Sequence, residues 1–337
     1  MKFLAALVAG AACLASLAQA QPAPDTIAVI RARGHLICGV TVNSVGFANP
    51  DSRGIMRGMD ADICRAVAAV VLGDAEKVRF VPNTAVQRFP MLQSGELDLL
   101  VRNTTWTLGR EASLGLAFAG INFYDGQGFI VKRDSGITSA RQLEGATICV
   151  APGTTTELNL TDYFRTNRMR FQPVVIEGIE EIRAAFLAGR CDAYTNDATA
   201  LATFRHAQGA NAERYMVLPE RISREPLGPV VRKGDWKWFD LVRWTLFAMI
   251  NAEELGISQA NLASFAQSTN PDVQRLLGRT GDLGRALGVD NEWAMRIIRD
   301  VGNYGDIFER NIAPLGIPRG LNDIWTRGGL HYAPPIR

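Results

Sequence analysis

The sequence has few of the residues from which metal and redox sites are built. Its 337 residues include three histidines, His35, His206 and His331, which lie far apart and without the spacing of metal ligands. It has no G-x-S-x-G motif and no Cys/His pair at catalytic spacing, and "GQGFIV" lacks the third glycine of a dinucleotide-binding loop. We therefore expect neither a metal nor a cofactor.

An excess of one charge is also lacking. There are 36 Lys and Arg against 34 Asp and Glu, and no basic stripe stands out. This balance argues against nucleic acid or an acidic membrane surface as a partner. Beyond the first 20 residues, no apolar run is long enough to span a bilayer.

The chain begins with a lysine and a long apolar run that ends in Ala18-Gln19-Ala20. This is the pattern of a secretory signal peptide, so we predict that residues 1–20 are removed after Ala20 and that the protein reaches the periplasm. A retained membrane anchor is the alternative. Cys13 lies inside the apolar run without lipobox-like spacing, which argues against lipid attachment.

The exported chain keeps four cysteines, Cys38, Cys64, Cys149 and Cys191. In an oxidising compartment an even number of cysteines favours disulfides, and four cysteines allow three connectivities. Four buried free thiols are the alternative.

Short apolar runs alternate with helical patterns along most of the chain, which predicts an α/β fold with mostly parallel sheets. The pattern restarts near residue 126 and becomes almost wholly helical after residue 235. We therefore predict two lobes. The first comprises residues 21–125 and 223–337, with a helical C-terminal extension packed on it, and the second comprises residues 126–222.

Polar segments follow three of the predicted strands: "RNTTWTLGR" (102–110), "PGTTTE" (152–157) and "TND" (195–197). Ligands of open α/β sheets bind at the carboxyl ends of the strands. If the two lobes face each other, these segments converge on one cleft.

Arg110 and Asp197 suggest what this cleft binds. A guanidinium can hold both oxygens of a carboxylate, and a carboxylate can hold an ammonium group, so the pair suits a zwitterion. The alternatives are structural: Arg110 as a solvated surface residue, Thr154 or Thr155 as a helix N-cap, and Asp197 as the N-cap of "ATALATFRHA".

Three motifs resemble the periplasmic solute-binding proteins of amino-acid ABC transporters: "GMDADICRAVAAVVLGD", "VRNTTWTLGREASLGLAF" and "CVAPGTTTELNL". The likeness covers residues 27–337 and is closest to the general L-amino-acid-binding branch, which includes glutamate, glutamine, aspartate and asparagine binders. It implies a two-lobe, hinged fold of type II and a monomer that captures an L-amino acid by lobe closure and delivers it to a permease.

The resemblance also implies roles for single residues. Arg110 matches the arginine that clamps the ligand's α-carboxylate, and Thr105 and Asn103 match nearby contacts. On the second lobe, Thr155 matches a further α-carboxylate contact, and Asp197 matches the carboxylate that binds the α-ammonium.

Arg88 matches an arginine that acidic-amino-acid binders direct at the side-chain carboxylate; a helix-surface arginine is the alternative. The chain departs from many relatives where aromatic residues sandwich the ligand side chain. Ser44 and Ala85 stand at those places, although Phe47 is near. This departure suits a roomier pocket and a broad range of ligands.

The implied fold places Cys38 with Cys64 in the first lobe and Cys149 with Cys191 in the second. It also admits other functions. An exported enzyme such as a cyclohexadienyl dehydratase would need an acid in the cleft, and Glu157 is the candidate, although Glu157 can instead cap a helix. A ligand-sensing partner of a receptor is the other alternative. We expect a binding protein and no enzyme.

Overall fold

The computed structural model describes residues 25–41 and 43–337. The predicted signal peptide and its cleavage site lie outside these residues. The strands are β1 (Leu36–Val40), β2 (Asn49–Pro50), β3 (Met56–Arg57), β4 (Val78–Pro82), β5 (Leu99–Leu100), β6 (Leu116–Phe118), β7 (Phe123–Asp125), β8 (Gln127–Lys132), β9 (Thr147–Val150), β10 (Gln172–Val175), β11 (Ala193–Asp197), β12 (Tyr215–Val217), β13 (Glu225–Leu227) and β14 (Val230–Arg232).

The helices are α1 (Thr26–Arg33), α2 (Met59–Leu72), α3 (Arg88–Ser94), α4 (Leu108–Ser113), α5 (Thr155–Thr166), α6 (Ile179–Leu187), α7 (Ala198–His206), α8 (Trp236–Glu254), α9 (Pro271–Leu276), α10 (Leu283–Ala286), α11 (Trp293–Asp300) and α12 (Tyr304–Asn311). Within the described ranges, no helix combines the length and apolar character that a membrane crossing requires.

Two five-stranded sheets organise the chain, in the orders β4-β1-β5-β14-β6 and β10-β9-β11-β8-β12. β1 runs parallel to β4 and β5, and β9 runs parallel to β10 and β11. Only β14 and β8 are antiparallel to their neighbours. Each of these reversed strands follows a segment in which the chain crosses from one sheet to the other, so it enters its sheet from the opposite end.

The two crossing segments, β7 and β13, pair with each other as an antiparallel ribbon that connects the lobes. In this ribbon Asp125 is the partner of Glu225, Tyr124 of Pro226 and Phe123 of Leu227. The connection is therefore a narrow pair of extended segments, which is the geometry of a hinge.

The helical C-terminal part packs on helices of the first lobe, as the sequence pattern predicts. α11 and α12 lie against α2 and α8, and the buried core that they share includes Met249, Trp293, Ile297, Tyr304 and Phe308. Burying these large side chains joins the C-terminal extension to the first lobe through apolar contacts.

Both disulfides lie within single lobes. Cys38 on β1 is bonded to Cys64 on α2, and Cys149 on β9 is bonded to Cys191, which precedes β11. This is the pairing that the family resemblance implies. Neither bond crosses the hinge, so neither restrains lobe movement.

Two helices differ from the sequence prediction. The pattern "AVQRFPMLQSG" predicts a helix over 85–95, but the helix begins only at Arg88. This start places Pro90 in the first turn, where a proline is tolerated. The segment "TSARQLEG" predicts a capped helix over 138–145, but the structure has a single 3₁₀ turn, Ala140–Leu143, with a capping box between Ser139 and Gln142. A capping box marks where a helix starts but does not determine its length.

Candidate functional site

A cavity of about 360 Å³ lies between the two sheets. It is lined by the segments that follow β1, β4 and β5 on one side and β9, β10 and β11 on the other. These are carboxyl ends of strands, where ligands of α/β sheets bind. Of the residues proposed from the sequence, those lining the cavity are Arg88, Asn103, Thr105, Thr155 and Asp197.

Arg88 is buried although its charge has no ion-pair partner among the described residues. The residue is 2% exposed. Nη2 donates to the Gly153 carbonyl at 3.3 Å, across the cleft, and Nε has no partner in the described part of the chain. Burial lowers the pKa of the guanidinium, and the neighbouring Arg102 and Arg110 lower it further. A buried cation in this state is unfavourable on its own and is stabilised by an anion in the cavity.

Asp197 presents the opposite charge. It ends β11 and occupies the N-cap position of α7, but its side chain makes no capping hydrogen bond. The residue is 7% exposed, and no donor from residues 25–41 or 43–337 hydrogen-bonds its carboxylate. Burial raises the pKa of Asp197 well above its usual value, and repulsion from Asp125 and Glu225 adds to this. The structural alternative, a helix cap, is therefore not what this side chain does.

Asn103 is held in an uncommon backbone conformation at the cavity wall. Its φ is +40°, a left-handed value that asparagine tolerates better than most residues. Its N–H donates to Asp60 at 3.2 Å, while its side-chain Oδ1 is buried without a partner. Burial raises the pKa of Asp60 to about 6, opposed by the hydrogen bonds from Asn103 and Asn122. An unpaired buried oxygen beside a cavity suits a ligand donor.

Arg110 lies behind the cavity wall. Nη1 donates to the Thr105 carbonyl at 2.9 Å, and the guanidinium lies 5.3 Å from the centre of the Phe89 ring. Burial lowers the pKa of Arg110, while Glu225 and Asp197 raise it. In this arrangement Arg110 supports the segment that carries Thr105, and Arg102 takes a place in the lining.

The N-terminus of α5 completes the second-lobe wall. Thr154 is the N-cap, and its hydroxyl accepts from the Glu157 N–H at 3.1 Å, as the sequence suggests. Thr155 is the first helical residue, and its hydroxyl donates to Glu225 at 2.9 Å. Thr155 thus contacts both the cavity and the buried Glu225.

Two hydrogen bonds join the lobes at the rim of the cavity. The Thr84 hydroxyl donates to Glu177 at 2.7 Å, and Nη1 of Arg183 donates to the Asn43 carbonyl at 2.9 Å. We call these two contacts the rim pair. They connect the loop after β4 to the segment before α6, and the loop after β1 to the middle of α6.

The wall contains no aromatic side chain among its described residues. Ser44 and Ala85, the two positions singled out in the sequence, line the cavity. Phe47 is fully buried and packs edge-on against Phe123 with ring centroids 5.1 Å apart. Nor does the described part of the chain contain a group of three or more His, Cys, Asp or Glu suited to a metal ion.

Sequence reasoning missed four residues of the site. Arg102, Glu177 and Arg183 line the cavity, and Glu225 lies immediately behind it. Arg102 opens the segment "RNTTWTLGR" and could have been found from its position at a strand end. The other three are placed by contacts between segments distant in sequence, which no local pattern reveals.

Comparisons with known proteins agree with this architecture. The model of the family "Bacterial extracellular solute-binding proteins, family 3" matches residues 36–260. The general L-amino acid-binding periplasmic protein of Rhizobium johnstonii is 51% identical over 100% of this chain and 99% of its own length. The glutamate/glutamine/aspartate/asparagine-binding protein of Rhodobacter capsulatus is 52% identical over 99% of this chain and 97% of its own.

Among solved structures, a periplasmic binding protein from Brucella ovis with glutathione bound is 54% identical, with a TM-score of 0.90. The match covers 93% of this chain and 100% of that one. The relatives are named as binding proteins, and the pair of lobes with a helical extension on the first confirms the expected type II architecture. By family match, full-length identity and fold, the chain belongs to the bacterial extracellular solute-binding proteins of family 3.

Proposed function

We propose that this protein captures L-amino acids outside the cytoplasm and delivers them to the permease of an ABC transporter. Glutamate, glutamine, aspartate and asparagine are the favoured ligands. One observation carries the proposal: one cavity between the two lobes contains two buried, oppositely charged groups. The Asp197 carboxylate has no donor among the described residues, and the Arg88 guanidinium has an unpaired Nε. Charges of opposite sign without partners suit a zwitterion.

In this proposal Asp197 binds the α-ammonium. The α-carboxylate is bound by Arg110, as its positive charge, and by Thr155, with Thr105 and Asn103 as nearby contacts. The unpaired Oδ1 of Asn103 can only accept, so it takes a donor of the ligand. Arg110 lies behind Thr105, to whose carbonyl it donates, and it is close enough to the cavity to interact with the charge of Asp197. Its position therefore supports a role in attracting the carboxylate. Arg88 is the reader of a side-chain carboxylate or amide, which its buried, unpaired Nε supports.

The proposed mechanism is a hinged trap. The ligand contacts both lobes only when they are closed, so binding shifts the population toward the closed form. We assign residues 21–125 and 223–337 to the first lobe and residues 126–222 to the second. The membership of the two sheets and the crossing segments β7 and β13 support these boundaries.

Family membership supports an extracytoplasmic location. We propose in addition that the signal peptide is cleaved after Ala20, that the protein acts as a monomer and that its closed form docks on the permease. Catalysis is not part of the proposal. Glu157, the acid considered for a dehydratase, accepts from the Gly153 N–H at 2.9 Å and does not line the cavity.

A second candidate ligand is glutathione, which is bound to the Brucella ovis relative. Its γ-glutamyl group carries the same zwitterion as glutamate. The cavity of about 360 Å³ falls within the range of about 300–1,000 Å³ typical of drug-sized ligands, which leaves room for a peptide extension toward the rim.

The test is a binding panel on the protein exported with its own leader and freed of bound ligand by unfolding and refolding. Melting temperatures are recorded with each of the twenty L-amino acids and with glutathione. A ligand at a thousand times its dissociation constant adds about 4 kcal/mol, which raises the melting temperature by several degrees. Mass spectrometry of the N-terminus tests cleavage after Ala20.

Asp197→Ala and Arg110→Ala should abolish binding without unfolding the protein. The matched controls are Asp134→Ala and Arg79→Ala, both exposed and remote from the lining, which should bind as the wild type does. Shifts with glutathione alone would favour the second candidate. No shift with any compound, or binding that survives both site variants, would overturn the proposal.

A further inference from the structure

Glu225 is a buried carboxylate whose two oxygens are fully used inside the protein. It is 1% exposed. Oε2 accepts from the hydroxyls of Thr105 and Thr155, the latter at 2.9 Å, and Oε1 accepts from the Asn159 amide at 2.8 Å and from the Ser223 hydroxyl. These four donors are three hydroxyls and one amide, all of them neutral. Among the residues that the structure describes, none forms an ion pair with Glu225.

These donors come from both sides of the hinge. Glu225 begins β13, one of the two crossing segments. Thr105 follows β5 of the first sheet, whereas Thr155 and Asn159 lie on α5 beside the second. The carboxylate therefore joins the two walls of the cleft at its base.

The hydrogen-bond inventory of a hydroxyl decides what the two threonines offer to a ligand. A hydroxyl has one proton and two lone pairs. Thr105 and Thr155 both direct this proton to Glu225, and both also line the cavity. Toward the cavity they present lone pairs, and their oxygens lie 3.2 Å apart.

We propose that Glu225 is a positioning residue: by taking both hydroxyl protons, it makes Thr105 and Thr155 acceptors for a cationic group of the ligand. This inference rests on the proposed function and refines it. An ammonium has three donors, and two hydroxyl lone pairs supplement the Asp197 carboxylate. Neither hydroxyl has a proton left for the ligand's carboxylate. The carboxylate contact proposed above for Thr155 is therefore made by its backbone N–H, together with the guanidinium.

The test exchanges hydrogen-bond polarity while the shape is preserved. In Glu225→Gln the new NH₂ group faces either the threonines, whose protons then turn toward the cavity, or Asn159, whose own NH₂ opposes it. The double variant E225Q/N159D removes this conflict, because the new aspartate accepts from the glutamine NH₂ and returns Oε1 to the threonines. The double variant keeps the net charge of the wild type.

Two probes report the polarity by calorimetry: L-glutamate, and glutarate, which is the same diacid without the ammonium. The dissociation constant of glutarate divided by that of L-glutamate measures how strongly the protein recognises the ammonium. We expect Glu225→Gln to reduce this ratio by about tenfold or more, the size expected for hydrogen bonds to a charged group, and E225Q/N159D to restore it. A purely structural role for Glu225 would lower the melting temperature and leave the ratio unchanged.

The control is Asp98→Asn, a buried carboxylate paired with Arg33 and the Ile37 N–H, away from the cavity. It should reduce stability without changing the ratio. If Glu225→Gln does not fold, Thr155→Val replaces it. Loss of the hydroxyl acceptor should weaken the binding of L-glutamate more than the binding of glutarate. Thr155→Ser keeps a hydroxyl and should keep the wild-type ratio. Equal weakening of both probes overturns the inference.

The wild-type measurement separates this inference from the proposed function. Wild-type protein that binds neither L-glutamate nor the other panel compounds refutes the proposed function, and the inference falls with it. Wild-type protein that binds L-glutamate while Glu225→Gln keeps the full ratio refutes the inference alone.

Discussion

Single residues of this site hold charges that the protein alone leaves without partners. Arg88 and Asp197 are both buried in one cavity, and neither has an ion-pair partner in the described part of the chain. Such burial destabilises the ligand-free protein by an amount that a zwitterionic ligand offsets. Affinity and stability are therefore opposed at these residues, and both can be measured.

Binding should depend on pH through Asp197. Its pKa is raised well above the usual value by burial and by Asp125, whose own pKa burial raises to about 6. An ammonium needs the ionised carboxylate, so affinity for L-glutamate is full above this raised pKa and falls as the pH decreases through it. Binding in that range releases a proton from Asp197.

Calorimetry over a series of pH values, in buffers of different ionisation enthalpy, measures both effects. The proton release should disappear at pH values above the raised pKa of Asp197, which serves as the internal control. Affinity that stays constant or increases toward acid pH would contradict this account of Asp197.

Arg88→Gln should stabilise the ligand-free protein and weaken binding. The variant removes a buried cation that has Arg102 and Arg110 as like-charged neighbours, so we expect the free energy of unfolding to increase by about 1 kcal/mol or more. Affinity for L-glutamate should fall by about tenfold or more, and affinity for L-glutamine by less, because a carboxylate loses a charge-assisted hydrogen bond.

Thermal unfolding and calorimetry test this pair of effects. Arg79→Gln, an exposed substitution on β4, is the matched control and should change neither quantity. A destabilised Arg88→Gln that binds both amino acids as well as the wild type would show that Arg88 is structural.

At the scale of elements, the ends of strands and the starts of helices bring the site together. β11 delivers Asp197 and α5 delivers Thr155, while the crossing segment β13 delivers Glu225. The opposite crossing segment, β7, is held from outside by the C-terminal extension. The Asn322 side chain accepts from the Tyr124 N–H at 2.7 Å and donates to the Tyr124 carbonyl at 3.0 Å.

Asn322→Ala should therefore destabilise the protein. The residue is 5% exposed, and its loss leaves the N–H and carbonyl of Tyr124 without these partners, which costs about 1–3 kcal/mol for each buried group left unsatisfied. Chemical denaturation measures the change. Asn49→Ala is the control, because within the described residues the Asn49 amide donates only to the adjacent Pro50 carbonyl. A loss of stability no larger than in that control would mean that Asn322 does not secure β7.

At the scale of the whole molecule, the lobes meet on opposite sides of the cavity, at Glu225 on its base and at the rim pair on its edge. Each disulfide stays within one lobe, where it stabilises that lobe by roughly 3–4 kcal/mol in the chain-entropy model. Stability within the lobes and freedom between them are thus provided by different contacts.

Thr84→Val should speed ligand release. It removes the Thr84–Glu177 hydrogen bond, which connects the lobes, so we expect the dissociation rate to increase by about two- to tenfold with little change in the association rate. Stopped-flow fluorescence with L-glutamate separates the two rates. Thr161→Val on the exposed surface of α5 is the control, and an unchanged dissociation rate in Thr84→Val would exclude a role for this contact in closure.

The sequence by itself determined the local features of this protein. Alternating apolar runs predict most strands of the two sheets, although not β12. The N-cap that begins α5 is narrowed to Thr154 or Thr155, and it is Thr154. Polar segments after strands locate the cavity wall, because the carboxyl ends of parallel strands share one edge. These features depend on neighbours in the chain, and residue patterns record such neighbours directly.

Only the tertiary structure decided which of the competing roles a side chain takes. Asp197 could cap α7 or face the cavity, and Arg110 could line the wall or support it; the choice depends on segments from the other lobe or the other side of the wall. Glu225 has no local signal at all, since its partners Thr105 and Thr155 lie 120 and 70 residues away. Hydrogen bonds between distant segments form only once the sheets have brought those segments together.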